Sequence, residues 1–307
     1  MGSTLRVGYI GLGRMGGPMA HNLVRTGFPT FVHDANPQVA VEGAVWSATP
    51  AEVARQADII FTCLPGPQEV EAVMHGGVGL LEHARPGKIF VECTTTEPAQ
   101  IRSNARCFAD RGSGYIDACV SGGPSNSESG TLVLMLGGDP GDIARARPAL
   151  EAVGSRLHHF GPVGSGTIAK LVHNLVHNAI LQIAIEAIAM GMKAGLTSAA
   201  LVELLQEGAV GQGALTRWQL PPMTDGRELG PQFFPVRMSA KDVGLAMDVA
   251  RELGAAMPIA SLVEQNFSEA LSRGLGDRDN RAIAELLAAR SGLPNGLIVS
   301  GASDKSR

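Results

Sequence analysis

Leu5-Arg6-Val7-Gly8-Tyr9-Ile10-Gly11-Leu12-Gly13-Arg14-Met15-Gly16, at the start of the chain, is the stretch that decides the fold. Residues 5–10 read as a short buried strand, and a G-x-G-x-x-G turn follows at once. Gly17 to Arg25 reads as a helix, with Gly27 as its stop signal. Residues 28–33 read as a second strand that ends in Asp34. Strand, glycine turn, helix, strand and acid together are the pattern of a dinucleotide-binding unit. Gly11 permits the tight turn, Gly13 lets the backbone approach a pyrophosphate, and Gly16 lets helix and strand pack closely. The helix N-terminus offers free N–H groups to the phosphates. Asp34 would accept from both ribose hydroxyls and repel a 2′-phosphate, and Ala35 offers no cation to hold one. The cofactor predicted is therefore NAD, with NADP disfavoured.

Working outward, residues 1–160 alternate short apolar runs with amphipathic ones. Further strands are expected at 58–64, 88–93, 115–120, 131–136 and 157–160, with helices at 50–56, 67–75, 97–111 and 140–153. The alternation predicts a parallel sheet wrapped by helices, its last strands free to run differently. From Thr167 onward helical periodicity takes over, at 167–194, 198–207, 239–253, 258–273 and 279–290, with 208–238 a mixture of short helices and loop. The expected architecture is an α/β Rossmann-type domain over 1–163, followed by an all-α domain over 164–307 that serves the substrate and oligomerisation.

Within the first of those later helices, Lys170 and Asn174 are four residues apart and share a face. Gly166, one turn earlier, is expected to leave room for another molecule. The chain has only five lysines. One set in an apolar helix needs a partner or a purpose, and lysine can be tuned as a proton donor or acceptor where arginine cannot.

Composition narrows the function classes. The chain has 307 residues, 45% of them hydrophobic, enough for a full core. A net charge of −4 and a pI near 6.1 argue against nucleic acid. Residues 175–192 are the most apolar stretch, but His177, Asn178, Gln182 and Glu186 interrupt it, so a buried helix is expected and no membrane partner. Cys63, Cys93, Cys107 and Cys119 form no C-x-x-C pair and read as buried reduced thiols of a cytoplasmic protein. His173 and His177 have a zinc-compatible spacing but no third ligand, so no metal is expected.

Several segments, in order, resemble the β-hydroxyacid dehydrogenases, the family of 3-hydroxyisobutyrate dehydrogenase and tartronate semialdehyde reductase. Gly11-Leu12-Gly13-Arg14-Met15-Gly16 matches the cofactor signature, and Cys63-Leu64-Pro65-Gly66-Pro67 a loop along the dinucleotide. Glu92-Cys93-Thr94-Thr95-Thr96-Glu97-Pro98 is similar to a D-x-S-T-x-x-P segment, departing at Glu92 and Thr94. Asp117 to Pro124 with Gly130-Thr131-Leu132 looks like the substrate signature, Gly164 to Asn174 like the catalytic helix, and Lys241 to Ala246 like the family's C-terminal lysine motif, which implies a C-terminal domain like that of 6-phosphogluconate dehydrogenase. The resemblance implies an NAD-dependent enzyme that moves a hydride between cofactor and a small hydroxyacid or semialdehyde. It makes Lys170 the catalytic acid–base group and Asn174 its helper. Ser121, Gly122 and Gly123 would bind the substrate carboxylate, and Leu64, Pro65, Thr95 and Lys241 would touch the nicotinamide half. Lys241, if close, would lower the proton affinity of Lys170. A homodimer or homotetramer is implied. Two departures stand out: His173 where the family often has asparagine, and a polar Ser125-Asn126-Ser127-Glu128-Ser129 beside the substrate signature. The competing readings are an imine reductase acting on C=N bonds, which Lys170 argues against, and a non-catalytic scaffold that binds NAD(P).

Overall fold

The computed structural model describes residues 5–213 and 234–292. It divides into two compact units, Met1–Leu175 and Val176–Arg307.

The first unit is built on an eight-stranded sheet of order β3-β2-β1-β4-β5-β6-β7-β8. Its strands are β1 (Val7–Ile10), β2 (Thr30–His33), β3 (Val45–Trp46), β4 (Ile59–Thr62), β5 (Ile89–Glu92), β6 (Gly114–Ser121), β7 (Leu132–Gly137) and β8 (Gly154–His159). Every pairing is parallel except that of β6 with β7. The helices are α1 (Gly16–Arg25), α2 (Pro50–Gln56), α3 (Pro67–His75), α4 (Pro98–Ala109), α5 (Gly123–Ser129), α6 (Pro140–Val153) and the start of α7 (Ser165–Lys193). Proline opens α2, α3, α4 and α6, where its missing N–H is no loss. Thr49 and Asp139 cap α2 and α6 through their side chains.

Side chains alternate between two apolar clusters, one on each face of the sheet. Ile59, Phe61, Ile89 and Val91 join Met19, Leu23 and Leu150 on the side of α1 and α6. Ile60 and Phe90 join Val53, Val70, Ile101 and Phe108 on the side of α2, α3 and α4. A sheet covered on both faces accounts for strands that are buried at every position, as β1, β4 and β5 are. The strand order reverses between β1 and β4, and ligands of such sheets bind beyond the strand ends at that crevice.

Two elements differ from the sequence reading. Residues 123–129, to which the sequence reading assigns no regular element, form helix α5, tied down where Asn22 donates to the Ser127 carbonyl (2.7 Å) and Ser127 donates to the Met15 carbonyl (2.7 Å). Strand β3 is only two residues, too short for periodicity to reveal.

The second unit is helical throughout its described residues, apart from an isolated bridge between Pro235 and Asp279. It contains the rest of α7, then α8 (Ser198–Glu207), α9 (Val236–Leu253), α10 (Pro258–Ser272), a short 3₁₀ turn at Asn280–Ala282 and α11 (Ile283–Arg290). Glu186 on α7 accepts from the backbone N–H groups of Ile259 (2.9 Å) and Ala260 (3.1 Å), so one helix caps the start of another. Most of the segment 208–238, read from sequence as mixed helix and loop, lies outside the described residues.

The exposure of α7 corrects a second expectation. The sequence predicts a buried helix over 175–192, but α7 is long and apolar enough to cross a membrane and only 6% of its most apolar window is buried. Leu171, Leu175, Val176, Ile180 and Ile185 are all exposed, Leu175 by 72%. The thiols also differ from expectation: all four are free, but only Cys93 and Cys119 are buried, while Cys63 and Cys107 are partly accessible.

Candidate functional site

The glycine turn has the geometry its residues demand. Gly11 has φ of 91°, and a Cβ there would stand 2.2 Å from the Cys63 carbonyl oxygen. A Cβ on Gly16 would meet the Gly11 carbonyl oxygen at 1.9 Å, so α1 can start this close to β1 only with glycine. A Cβ on Gly13 would meet nothing within 4 Å. That open space lies at the start of a helix whose N-cap, Met15, supplies no side-chain cap. The Gly17 N–H is taken by the Gly13 carbonyl and Pro18 has none, so the backbone from Gly13 to Gly16, beneath this unfilled space, is what suits a pyrophosphate, and the cofactor fits this cradle. Arg14 is exposed beside it, and Leu12 is buried beneath. A cavity of about 400 Å³ opens at Leu12, Gly13, Gly17 and His21.

Asp34 sits at the end of β2 and holds the turn from the other side. Its carboxylate accepts the Leu12 N–H at 2.6 Å and the Asn36 N–H at 2.8 Å. Each oxygen keeps further acceptor capacity.

The carboxyl ends of β4, β5 and β6 carry the next residues. Leu64 is half-buried and Pro65 exposed, just past β4. The Leu64 N–H donates to Thr94 Oγ1 at 2.8 Å, and the Thr94 N–H donates to Glu92 Oε1 at 2.7 Å. Thr95 projects to solvent between buried Thr94 and Thr96. Ser121 ends β6, and Gly122 (φ 135°) and Gly123 (φ 73°) turn the chain into α5.

Helix α7 is seated on this edge by Asp117, which is buried on β6. Its carboxylate accepts the Gly164 N–H (2.8 Å), the Thr167 N–H (2.6 Å) and the Thr167 hydroxyl (3.0 Å), which satisfies the helix start. Burial pushes the Asp117 carboxyl above its usual range, while the Gly164 and Thr167 donors pull it back. Gly166 does not leave room for another molecule, as its sequence position suggested. A Cβ there would stand 2.3 Å from the Met135 carbonyl oxygen, because the backbone of β6 and β7 fills the space.

One turn on, Lys170 is half-buried, and no carboxylate pairs with it among the described residues. Burial draws its ammonium below the ordinary lysine range; Cys119 pulls the other way. The Cys119 thiol is itself pushed up to about 12 by burial, so it stays a thiol. Asn174 is half-buried on the same helix face. His173 lines the edge: its Nε2 lies 3.2 Å from Ser121 Oγ, and its Nδ1 3.3 Å from Asn174 Oδ1.

The fold thus brings Ser121 to the helix turn that carries Lys170, His173 and Asn174, though Ser121 and His173 are 52 residues apart in sequence. Lys241 belongs to the second unit, on α9, where it is exposed and ion-paired with Asp242 at 3.0 Å. A larger cavity of about 780 Å³, around Arg102, Arg106 and His159, holds none of the sequence-predicted residues. Among the described residues there is no cluster of three metal-ligating side chains. Sequence reasoning assigned no part to Asp117 or Glu92. The signal was there: a carboxylate in an otherwise apolar strand must find donors or a proton.

Two family models match. Residues 6–161 match the NAD-binding domain of 6-phosphogluconate dehydrogenase, and residues 164–287 match the corresponding domain of NADP-dependent 3-hydroxyisobutyrate dehydrogenase. The chain is 33% identical to the NAD-dependent L-serine dehydrogenase of Pseudomonas aeruginosa over 94% of its own length and 99% of that protein's. Among solved structures, the 3-hydroxyisobutyrate dehydrogenase of Mycobacterium tuberculosis with L-serine has a TM-score of 0.62 at 29% identity, covering 92% of this chain and 99% of that one. An imine reductase of Myxococcus stipitatus with NAD⁺ has a TM-score of 0.78 at 20% identity, covering 92% and 99%, a likeness of fold alone. With its NAD cradle in place and matches that run nearly end to end, the chain belongs to the β-hydroxyacid dehydrogenase family and is an NAD-binding oxidoreductase of that family.

Proposed function

We propose that the protein oxidises the hydroxyl group of a small β-hydroxyacid, with Lys170 as the acid–base group, and can run the reverse reduction of the semialdehyde. The observation that carries this reading is Lys170 itself: half-buried, unpaired with any carboxylate among the described residues, and drawn below its ordinary proton affinity by burial. NAD, when bound, supplies the hydride acceptor. As the substrate C–H bond gives up its hydride, the hydroxyl proton passes to Lys170 Nζ and the C=O bond forms. The proton then leaves to water. In reverse, the ammonium stabilises charge growing on the carbonyl oxygen and delivers the proton. Asn174 orients substrate and lysine on the shared helix face. The Ser121 hydroxyl and the N–H groups of Gly122 and Gly123 hold the substrate carboxylate.

The test is NADH formation across a panel of 3-hydroxyisobutyrate, L-serine and glycerate, with a cyclic imine in the reductive direction. Turnover of a hydroxyacid is expected. Lys170→Ala should lower kcat by about a thousandfold, since it removes both proton transfer and charge stabilisation, while NADH affinity changes little. Lys170→Arg should fail as well, because guanidinium does not exchange its proton near neutrality. Near-normal turnover by Lys170→Ala, or reduction of the imine alone, would overturn the reading.

A further inference from the structure

Glu92 is the departure at which this chain has a longer acid than the family segment. It ends β5, is fully buried, and stands in register between Thr62 on β4 and Asp117 on β6. Three polar side chains thus lie side by side across the sheet, at the edge where the cofactor turns begin. Glu92 Oε1 accepts the Thr94 N–H, and Thr94 Oγ1 in turn accepts the Leu64 N–H. The Thr94 carbonyl also faces the Cys119 thiol at 3.6 Å. Glu92 Oε2 and Thr62 Oγ1 are both buried and face each other, with no better-placed partner for either. We infer that Glu92 is a positioning residue that joins the Thr94–Thr96 turn and the Leu64–Pro65 turn into one support for the nicotinamide half of NAD. The inference rests on the proposed place of those turns beside the cofactor.

The surroundings decide the form in which Glu92 does this. The titratable groups facing it are Tyr9, Cys63, Cys93, Tyr115, Asp117 and Cys119. None of these carries positive charge, and Asp117 is a carboxylate already committed to the start of α7. Burial pushes Glu92 up to about 7, against the pull of its hydrogen bonds to Thr94 and Thr62, and Asp117 adds a little to the effect. Either form of Glu92 can satisfy the row: Oε1 accepts from Thr94 in both, and Oε2 accepts from the Thr62 hydroxyl when ionised or donates to it when protonated, with burial favouring the protonated form. The proton affinity of the folded state is raised above the usual 4.5. The stability this proton contributes is therefore fully present below about 4.5 and is lost as pH rises through about 7.

Glu92→Gln and Thr94→Val test the inference, with NADH affinity read by nucleotide fluorescence and melting temperature read without nucleotide between pH 5 and 8.5. Glutamine imitates the protonated acid, so NADH affinity should stay within about twofold of wild type, and the fall in melting temperature with pH should flatten across the window. Thr94→Val keeps the side-chain shape but strands the Leu64 N–H, and NADH affinity should drop about tenfold, a single broken buried hydrogen bond. Glu92→Leu, if it folds, should lose NADH affinity as Thr94→Val does. The inference is overturned if Thr94→Val or a folded Glu92→Leu binds NADH like wild type, or if Glu92→Gln keeps the wild-type slope of stability against pH. Because nucleotide binding is read without turnover, failure here is distinct from failure of the Lys170 reading.

Discussion

Asp34 does two things with one carboxylate. It accepts the Leu12 and Asn36 N–H groups and so fixes the glycine turn, and it stands beside the start of the dinucleotide cradle. The change Asp34→Ser with Ala35→Arg should therefore move preference toward NADP, by removing a repelling charge and adding a phosphate-binding cation. It should also weaken binding of both nucleotides, because serine is too short to keep both backbone bonds. Relative kcat/KM for the two cofactors checks the first effect, and nucleotide affinity the second. A wild-type enzyme that already prefers NADP would sink this reading of Asp34. Residue identity made Asp34 and Lys170 legible from sequence. The paired contacts of Asp34 were not legible, since a carboxylate does not announce which N–H groups it will meet.

At the scale of elements, α7 is the part on which the candidate site depends. Its first turn is held to β6 by Asp117 and reaches the sheet only because position 166 has no side chain. Gly166→Ala should destabilise the protein by roughly 3 kcal/mol, since the new methyl group meets backbone that cannot step aside. The same change should lower kcat more than it raises the Kd for NADH, because it lifts Lys170 but leaves the glycine turn untouched. Thermal unfolding and steady-state kinetics would show this; a variant with unchanged stability would refute the packing argument. Helical periodicity was enough to place Lys170 and Asn174 on one face. It could not show what Gly166 packs against, because the partner strands lie some distance away in sequence.

At the scale of the whole molecule, α7 leaves Leu171, Leu175, Val176, Ile180 and Ile185 exposed, and a row of exposed apolar side chains marks a surface that another molecule covers. The face is expected to be covered by a second copy of the chain. Light scattering at micromolar concentration should report a dimer or tetramer. Replacing Leu175 and Ile180 with glutamate should shift the assembly toward monomer. A wild-type monomer at that concentration would count against the expectation.

Local chemistry is what the sequence alone could decide. Glycine spacing, strand alternation and helical period depend on near neighbours, and they sufficed for the order of all but β3 and α5 in the first unit, for the dinucleotide cradle and for the likeness to a dehydrogenase family. The limits of α2, α3, α6 and α8 could be read directly, because proline and capping residues mark their ends. Tertiary structure alone decided which distant groups meet. Strand register set Thr62, Glu92 and Asp117 in one buried row. The return of the chain through β7 and β8 brought His173 to Ser121. A buried carboxylate takes its charge state and its task from whatever the fold places around it, and no run of adjacent residues contains that information.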